Sequence, residues 1–181
     1  MAEEQQAILA GGCFWCTEAV FGQLAGVTKV ESGYIGGHLA DPTYKQVCSG
    51  ATGHAEAIRV SYDPEIIAYA DMLAIFFATH DPTQLNQQGN DIGTQYRSAI
   101  FPVNGEQRVA AETGIKTAQP DWPEPIVTTS EDADIWYPAE DDHQEYWEGE
   151  GQRNPYCLAI IPPKLAKLKK SFADRLAKSE N

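Results

Sequence analysis

The stretch Gly11-Gly12-Cys13-Phe14-Trp15-Cys16 constrains the fold more than any other part of the chain. The apolar run from Ala7 to Ala10 precedes it and is short enough for a buried strand. After it, residues that can face a core recur at helical spacing before Gly26: Cys16, Ala19, Val20, Gln23 and Leu24. The two glycines allow a tight turn and close backbone approach between these elements. The pattern therefore predicts a strand-to-helix turn with Cys13 at or near the helix N-terminus.

This placement makes Cys13 a candidate nucleophile. The free N–H groups and the dipole of a helix N-terminus favour an anion, so they lower the pKa of a cysteine placed there. The alternative is a buried, inert cysteine beside the aromatic pair Phe14 and Trp15. Position alone leaves both interpretations open.

The composition is typical of one globular domain spanning residues 1–181, with 43% hydrophobic and 22% charged residues. A net charge of −13 at pH 7 argues against a nucleic-acid partner, which would need a basic patch. No stretch approaches the roughly 18 apolar residues of a membrane span, and no signal peptide is visible. Four cysteines without a secretion signal indicate a reducing, cytoplasmic compartment. In that compartment, cysteines are catalytic, metal-binding or core residues more often than structural disulfides.

Strands and helices are mixed along the chain without strict alternation, which predicts an α/β or α+β class with a small sheet covered by helices. The clearest alternation runs from His54 to Tyr62 and places Glu56 on the same face as Ile58 and Val60. The remaining predicted strands are 27–34, 98–101 and 126–130. The predicted helices are 44–48, 69–79, 106–117 and 163–178. Residues 84–97 are predicted to form a long ordered loop.

Glu56 is the second candidate for chemistry. A carboxyl on an apolar strand face is desolvated, which raises its pKa and allows it to act as a general acid near neutral pH. The alternative is that Arg59 or another cation pairs with it, or that this face is solvated. In the same way, Asp91 is either a ligand-binding residue or part of an Asx turn. Tyr44 and Tyr96 are either phenol donors or packing residues.

Cys13 and Cys16 form a Cys-x-x-Cys whose members lie on neighbouring faces of a helix start, close enough for a redox disulfide. A zinc site fits poorly because Cys48 and Cys157 are isolated and supply no second ligand pair. A thioredoxin-like dithiol oxidoreductase is the stronger alternative. However, the two bulky aromatic residues inside the motif suit a substrate pocket better. A binding module for methyl-bearing ligands is a third possibility.

Taken together, the motifs resemble the peptide methionine sulfoxide reductase A family, which acts on the S epimer of the sulfoxide. The similar segments follow the family's order through most of the chain: Gly12–Trp15, Gly33–Gly37, Tyr44–Gly50, Thr52–Glu56, His80–Gln84, Gln88–Asp91, Gly93–Ser98 and Glu140–Gln144. One such segment would be a weak signal, but the ordered set is specific.

The resemblance implies a role for each candidate. Cys13 would attack the sulfoxide sulfur, while Glu56 would donate a proton to the oxygen, a poor leaving group until it is neutralised. The other implied roles are hydrogen bonds to that oxygen from Tyr44 and Tyr96, a methyl pocket of Phe14 and Trp15, and placement of the polar part of the substrate by Asp91.

The family's cycle would produce methionine and a sulfenic acid on Cys13. A second thiol would then form a disulfide, which thioredoxin or another dithiol would reduce. The implied substrates are oxidised proteins or peptides that contain methionine-(S)-sulfoxide, with no metal, no bound cofactor, no nucleic acid and no membrane. The implied fold is an α+β two-layer sandwich with a ferredoxin-like core, a mixed sheet and long ordered loops.

The second thiol is where the sequence departs from the family pattern, because Cys16 stands where many members have glycine. Cys157 lies in the C-terminal region where many members keep a resolving cysteine, and we favour it for that role. Cys16 is close in sequence to the nucleophile, but it shares its helix stripe with Ala19 and Val20. Cys48 is expected to be structural.

Overall fold

The computed structural model describes residues 3–178 and is built on a six-stranded sheet. The strands in this range are β1 Gln5–Gly11, β2 Val27–Ile35, β3 Ala55–Tyr62, β4 Gln87–Gln88, β5 Asp91–Ile92, β6 Ser98–Ile100, β7 Thr129–Ser130 and β8 Tyr137–Pro138. The α-helices of the described residues are α1 Phe14–Phe21, α2 Tyr44–Cys48, α3 Tyr69–Thr79, α4 Gly105–Ala118 and α5 Pro155–Ser171. The main sheet has the order β7-β6-β1-β3-β2-β8, and β4 pairs with β5 in a separate hairpin.

The centre of the sheet has a ferredoxin-like topology. The four strands β6-β1-β3-β2 are antiparallel neighbours, with α1 connecting β1 to β2 and α3 connecting β3 to β6. These are two split βαβ units, the defining connection of this fold. Because β7 runs parallel to β6 while the other pairs are antiparallel, the sheet is mixed. The predicted α+β class with a ferredoxin-like core is confirmed.

The main core lies between one face of the sheet and the helices. Along β3, Ile58 and Val60 are fully buried on this face, whereas Ala55 and Ala57 pack in a smaller cluster on the other face. Because successive strand side chains alternate, Glu56 lies on the helix side. The strand therefore brings a carboxyl group beneath the N-terminal end of α1.

Several predicted elements agree with the structure, including β3, α2 and the helix over 69–79. The long loop at 84–97 contains the small β4–β5 hairpin and a 3-10 turn at Thr94–Tyr96. The strand predicted at 126–130 is reduced to β7. No helix within residues 3–178 is long and apolar enough to cross a bilayer.

The last predicted helix, 163–178, has the wrong limits. The helix begins at Pro155, where the Asn154 side chain accepts the Tyr156 N–H at 2.9 Å, and it ends at Ser171. The sequence prediction began the helix at Pro163 because the apolar stripe of Leu165, Leu168, Phe172 and Leu176 starts there. Pro163 and its neighbour Pro162 lie inside the helix. The correct start matters because it places Cys157 in the first turn of α5.

Candidate active site

Cys13 lies at the turn between β1 and α1, as predicted, and is the N-cap residue of the helix. The turn depends on Gly12, which has a φ of +97° and whose added Cβ would lie 2.7 Å from the Gln88 side chain. The Cys13 side chain is 7% exposed. The turn therefore places a nearly buried thiol at the start of α1.

The Glu56 carboxyl group reaches the same turn. Its Oε1 accepts the backbone N–H of Phe14 at 3.2 Å, whereas its Oε2 is buried without a hydrogen-bond partner among the described residues. Burial raises the pKa of Glu56 to about 8, even though the Phe14 N–H opposes this change. Arg59, the cation considered as a partner, instead pairs with Glu31 at 2.7 Å. Glu56 is therefore a protonated acid at neutral pH.

The expected low pKa of Cys13 is wrong. Burial raises the pKa of this thiol well above its ordinary value, and the neighbouring Cys16 and Glu56 act in the same direction. A helix N-terminus contributes about 1 kcal/mol at most sites, which does not offset the desolvation of a buried anion. By contrast, interaction with the Cys13 thiol and the charge of Lys164 lower the pKa of Cys16, although burial opposes them. Burial therefore favours the neutral thiol at Cys13, while Cys13 and Lys164 favour the anion at Cys16.

An aromatic cluster forms one wall beside these groups. It comprises Phe14, Trp15, Tyr34, Tyr44, His143 and Tyr146. Phe14 stacks on Tyr44 with ring centroids 6.1 Å apart, and Trp15 stacks on Tyr146 at 4.0 Å. The Trp15 indole N–H also faces His143 Nδ1 at 3.2 Å, which fixes the orientation of both rings. The cluster therefore packs beside the thiol and the carboxyl group, since Trp15 contacts the buried cysteine cluster and the Phe14 N–H bonds Glu56.

Three polar candidates surround the same region. The pKa values of Tyr44 and Tyr96 are raised first by burial and then by the charge of Glu56, so both phenols stay protonated. Asp91, at the start of β5, accepts a hydrogen bond from the hydroxyl of Tyr156. Glu56 and Cys13 act on both phenols, and Asp91 acts on Glu56, so these three side chains lie near the Cys13–Glu56 turn.

The structure brings three of the four cysteines together. Cys13 and Cys16 share a buried cluster with Cys157 of α5, and all the cysteines are free thiols. Burial and the charge of Cys16 raise the pKa of Cys157 to about 11. Cys48 lies apart from this thiol cluster, near the phenols of Tyr44 and Tyr96. Cys16 is therefore the thiol that interacts with each of the other two members of the cluster.

Two of the histidines have structural hydrogen bonds. His54 accepts the Gly37 N–H at 3.0 Å, and His80 contacts the carbonyl of Phe76 at 2.5 Å. His143 differs because it is part of the aromatic cluster. Among residues 3–178, no group of three or more His, Cys, Asp or Glu side chains is placed to hold a metal ion.

Five residues contribute to this site without a role predicted from the sequence: Tyr34, Glu140, His143, Tyr146 and Tyr156. Glu140 accepts hydrogen bonds from the Tyr34 hydroxyl and the Tyr44 N–H, both at 3.0 Å, and so holds the loop against the aromatic cluster. A signal was present, because 140–144 is one of the family-like segments and Tyr156 precedes Cys157. The sequence does not show that these residues lie close to Cys13 in the folded chain.

Comparison with known proteins identifies the family. A family model described as peptide methionine sulfoxide reductase matches residues 5–176. The peptide methionine sulfoxide reductase MsrA of Erwinia tasmaniensis is 68% identical over 169 residues, covering 93% of this chain and 95% of the relative.

Solved structures agree with this match. The reduced form of Mxr1 from Saccharomyces cerevisiae aligns with a TM-score of 0.77 at 34% identity, over 83% of this chain and 87% of that one. Methionine sulfoxide reductase A of Corynebacterium diphtheriae aligns with a TM-score of 0.77 at 32% identity, over 86% and 77% of the two chains. The chain therefore belongs to the peptide methionine sulfoxide reductase A family, whose thiol-dependent reduction of methionine sulfoxide is the activity of this protein.

Proposed function

We propose that the protein reduces methionine-(S)-sulfoxide by attack of the Cys13 Sγ on the sulfoxide sulfur while Glu56 protonates the sulfoxide oxygen. One observation carries this proposal. Glu56 is buried beside Cys13, where burial raises its pKa to about 8, and the Phe14 N–H occupies Oε1 but leaves Oε2 free among the described residues. A protonated Oε2 next to the nucleophile supplies the proton that makes the oxygen a leaving group.

The surrounding residues support the binding of a methyl sulfoxide. The ring faces of Phe14 and Trp15 suit the ε-methyl group, because apolar contact is favourable there and a charged group would be desolvated. The protonated phenols of Tyr44 and Tyr96 can each donate a hydrogen bond to the oxygen. Asp91 is half-exposed at the rim, where it suits the polar backbone of a peptide substrate.

The first chemical step is balanced without an external reductant. The oxygen passes from the substrate sulfur to Cys13, giving methionine and a Cys13 sulfenic acid, and the thiol proton is retained overall. The substrate sulfur is reduced and the cysteine sulfur is oxidised. The preference for the S epimer follows from the family resemblance.

For the second step we depart from the sequence-based preference for Cys157 and propose Cys16 as the first resolving thiol and Cys157 as the next. Cys16 is one helical turn from Cys13 and is the more acidic thiol, whereas burial keeps Cys157 protonated. Cys16 attacks the sulfenic sulfur, hydroxide leaves and takes up a proton to form water, and the Cys13–Cys16 disulfide results. Exchange with Cys157 then releases Cys13 and gives a Cys16–Cys157 disulfide.

We propose thioredoxin, or another dithiol, as the reductant that restores the thiols, with no metal and no bound cofactor. Mxr1 has also been solved in complex with Trx2, which supports a reductant of this kind. The substrates in this scheme are proteins or peptides that contain methionine-(S)-sulfoxide. We also propose a cytoplasmic location, since the cycle depends on free thiols.

The test is incubation with dithiothreitol and each epimer of a blocked methionine sulfoxide, with the methionine formed as readout. We expect turnover of the S form alone and none in Cys13→Ser. Reduction of insulin disulfides without sulfoxide turnover would instead favour the dithiol oxidoreductase. Binding that survives Cys13→Ser without any turnover in the parent protein would favour the methyl-binding module.

A further inference from the structure

A small cavity of about 10 Å³, lined in part by Cys16, lies between α1, α3 and α5. Its walls include Gly11, Cys16, Thr17, Thr79, His80 and Lys164. The established activity and the family resemblance give no role to Lys164. Lys164 and Cys16 nevertheless line the same cavity.

Within residues 3–178, Lys164 has no carboxylate partner. Its Nζ donates to the carbonyl of Thr79 at 2.5 Å, and none of the ion pairs in that range includes it. A half-buried ammonium group without a counter-ion is unfavourable, because desolvation is not compensated. The groups able to carry negative charge that act on it are the thiols of Cys16 and Cys13 and, with a smaller effect, Asp81.

We propose that Lys164 is a positioning residue whose ammonium group stabilises the Cys16 thiolate and so directs resolution of the Cys13 sulfenic acid to Cys16. The inference rests on the proposed function, since it concerns the second step of that cycle. In this step the S–S bond forms, the S–O bond of the sulfenic acid breaks, and the departing hydroxide becomes water by taking up a proton. The nearby ammonium group stabilises the attacking Cys16 anion. It takes no part in the first step, which Cys13 and Glu56 carry out.

The other charged groups around the cavity do not replace Lys164. Burial lowers the pKa of His80 to about 4, so its ring is neutral at pH 7. Asp91 opposes a thiolate at Cys16, and Lys167 and Asp81 act on Lys164 with opposite signs. Besides the Cys13 thiol, the Tyr156 hydroxyl and Lys164 are the groups that favour the anion at Cys16. Of these three groups, the lysine alone carries a positive charge.

The test separates the two chemical steps by rapid quench without added reductant. Methionine released in the first turnover reports the first step, and loss of free thiols with the Cys13–Cys16 disulfide identified by mass spectrometry reports the second. We compare the parent protein with Lys164→Met, Lys164→Arg and the control Lys170→Met, which changes an exposed lysine of the same helix. Each is measured across the neutral to alkaline range.

We expect Lys164→Met to release methionine at the parental rate but to form the disulfide more slowly at pH 7, by about 10-fold if the pKa of the Cys16 thiol rises by about one pH unit. Its disulfide rate should recover at alkaline pH, Lys164→Arg should restore the parental profile, and Lys170→Met should match the parent. An unchanged disulfide profile in Lys164→Met would overturn the inference, as would loss of its methionine release. Absence of methionine release from the parent protein would instead overturn the proposed function.

Discussion

The backbone N–H of Phe14 donates to Oε1 of Glu56 at 3.2 Å, which ties the buried carboxyl group to the residue that follows Cys13. This bond joins β3 to the start of α1 across 42 residues of chain. It leaves Oε2 as the oxygen that carries the proton, because a protonated carboxyl uses its acceptor oxygen for the N–H. The predicted behaviour of the site depends on this difference between the two oxygens.

Glu56→Gln tests the acid directly. The amide keeps an oxygen for the Phe14 N–H and conserves the volume, so the fold should be retained, but it has no acidic proton. We expect the first-turnover rate of methionine release to fall by about 10²–10⁴-fold, the usual contribution of a general acid. Glu31→Gln, which alters the pair with Arg59 away from the site, is the matched control. Parental rates in Glu56→Gln would remove Glu56 from the mechanism.

The same carboxyl predicts a pH dependence of activity. Because burial raises its pKa to about 8, the acid form is present at neutral pH and is lost as the pH rises through that value. We expect the first-turnover rate to decline above about pH 8, and Glu56→Gln to lack this decline. The measurement is single-turnover kinetics across that range, and a decline that persists in the variant would assign it to another group.

The raised pKa of the Glu56 carboxyl group also makes the free energy of unfolding fall as the pH rises. The folded state binds the proton more tightly than the unfolded state, so this contribution is fully present below the ordinary pKa and is lost as the pH rises to about 8. A folded-state pKa one pH unit above the unfolded value corresponds to about 1.4 kcal/mol in the free energy of unfolding. We therefore expect the free energy of unfolding of Glu56→Gln, relative to that of the parent, to increase from acid to alkaline pH. Urea unfolding at each pH measures this difference. A constant difference between the two proteins would contradict a buried, protonated Glu56.

The chain's local patterns were enough to predict the parts of the site that depend on short-range periodicity. The alternation around Ile58 placed Glu56 on the buried face, since a strand has a period of two and any slip would reverse every side chain. The glycine turn placed Cys13 at the N-cap. Both depend on neighbours within one or two elements.

Long-range contacts account for what the sequence did not predict. The hydrogen bond between Trp15 and His143 joins residues 128 positions apart, and no local pattern specifies it. The pKa of Cys13 was predicted in the wrong direction because its burial depends on α5, which packs over the thiols from the other end of the chain. The two-residue strands β7 and β8 likewise exist only as partners of β6 and β2.

Tyr44→Phe and Tyr96→Phe test the proposed oxygen contacts. Each removes a hydroxyl and leaves the ring, so the aromatic packing is retained. We expect each to lower kcat by roughly 10-fold, the loss of one hydrogen bond of about 1.5 kcal/mol, with a smaller effect on KM. Tyr69→Phe, which removes a buried hydroxyl that has no partner among the described residues, is the control on α3. A loss confined to KM would indicate ground-state binding instead.

The proposed order in which the thiols react predicts which intermediate each cysteine variant accumulates. Cys16→Ser should release one methionine per enzyme and retain a Cys13 sulfenic acid that dimedone traps, because Cys157 is protonated and interacts with Cys16. Cys157→Ser should form the Cys13–Cys16 disulfide but turn over slowly with thioredoxin, since exchange cannot move the disulfide to α5. Cys48→Ser should match the parent, as this thiol lies outside the cluster. Full thioredoxin-dependent turnover in Cys16→Ser, measured as methionine per enzyme, would transfer the first resolving role to Cys157.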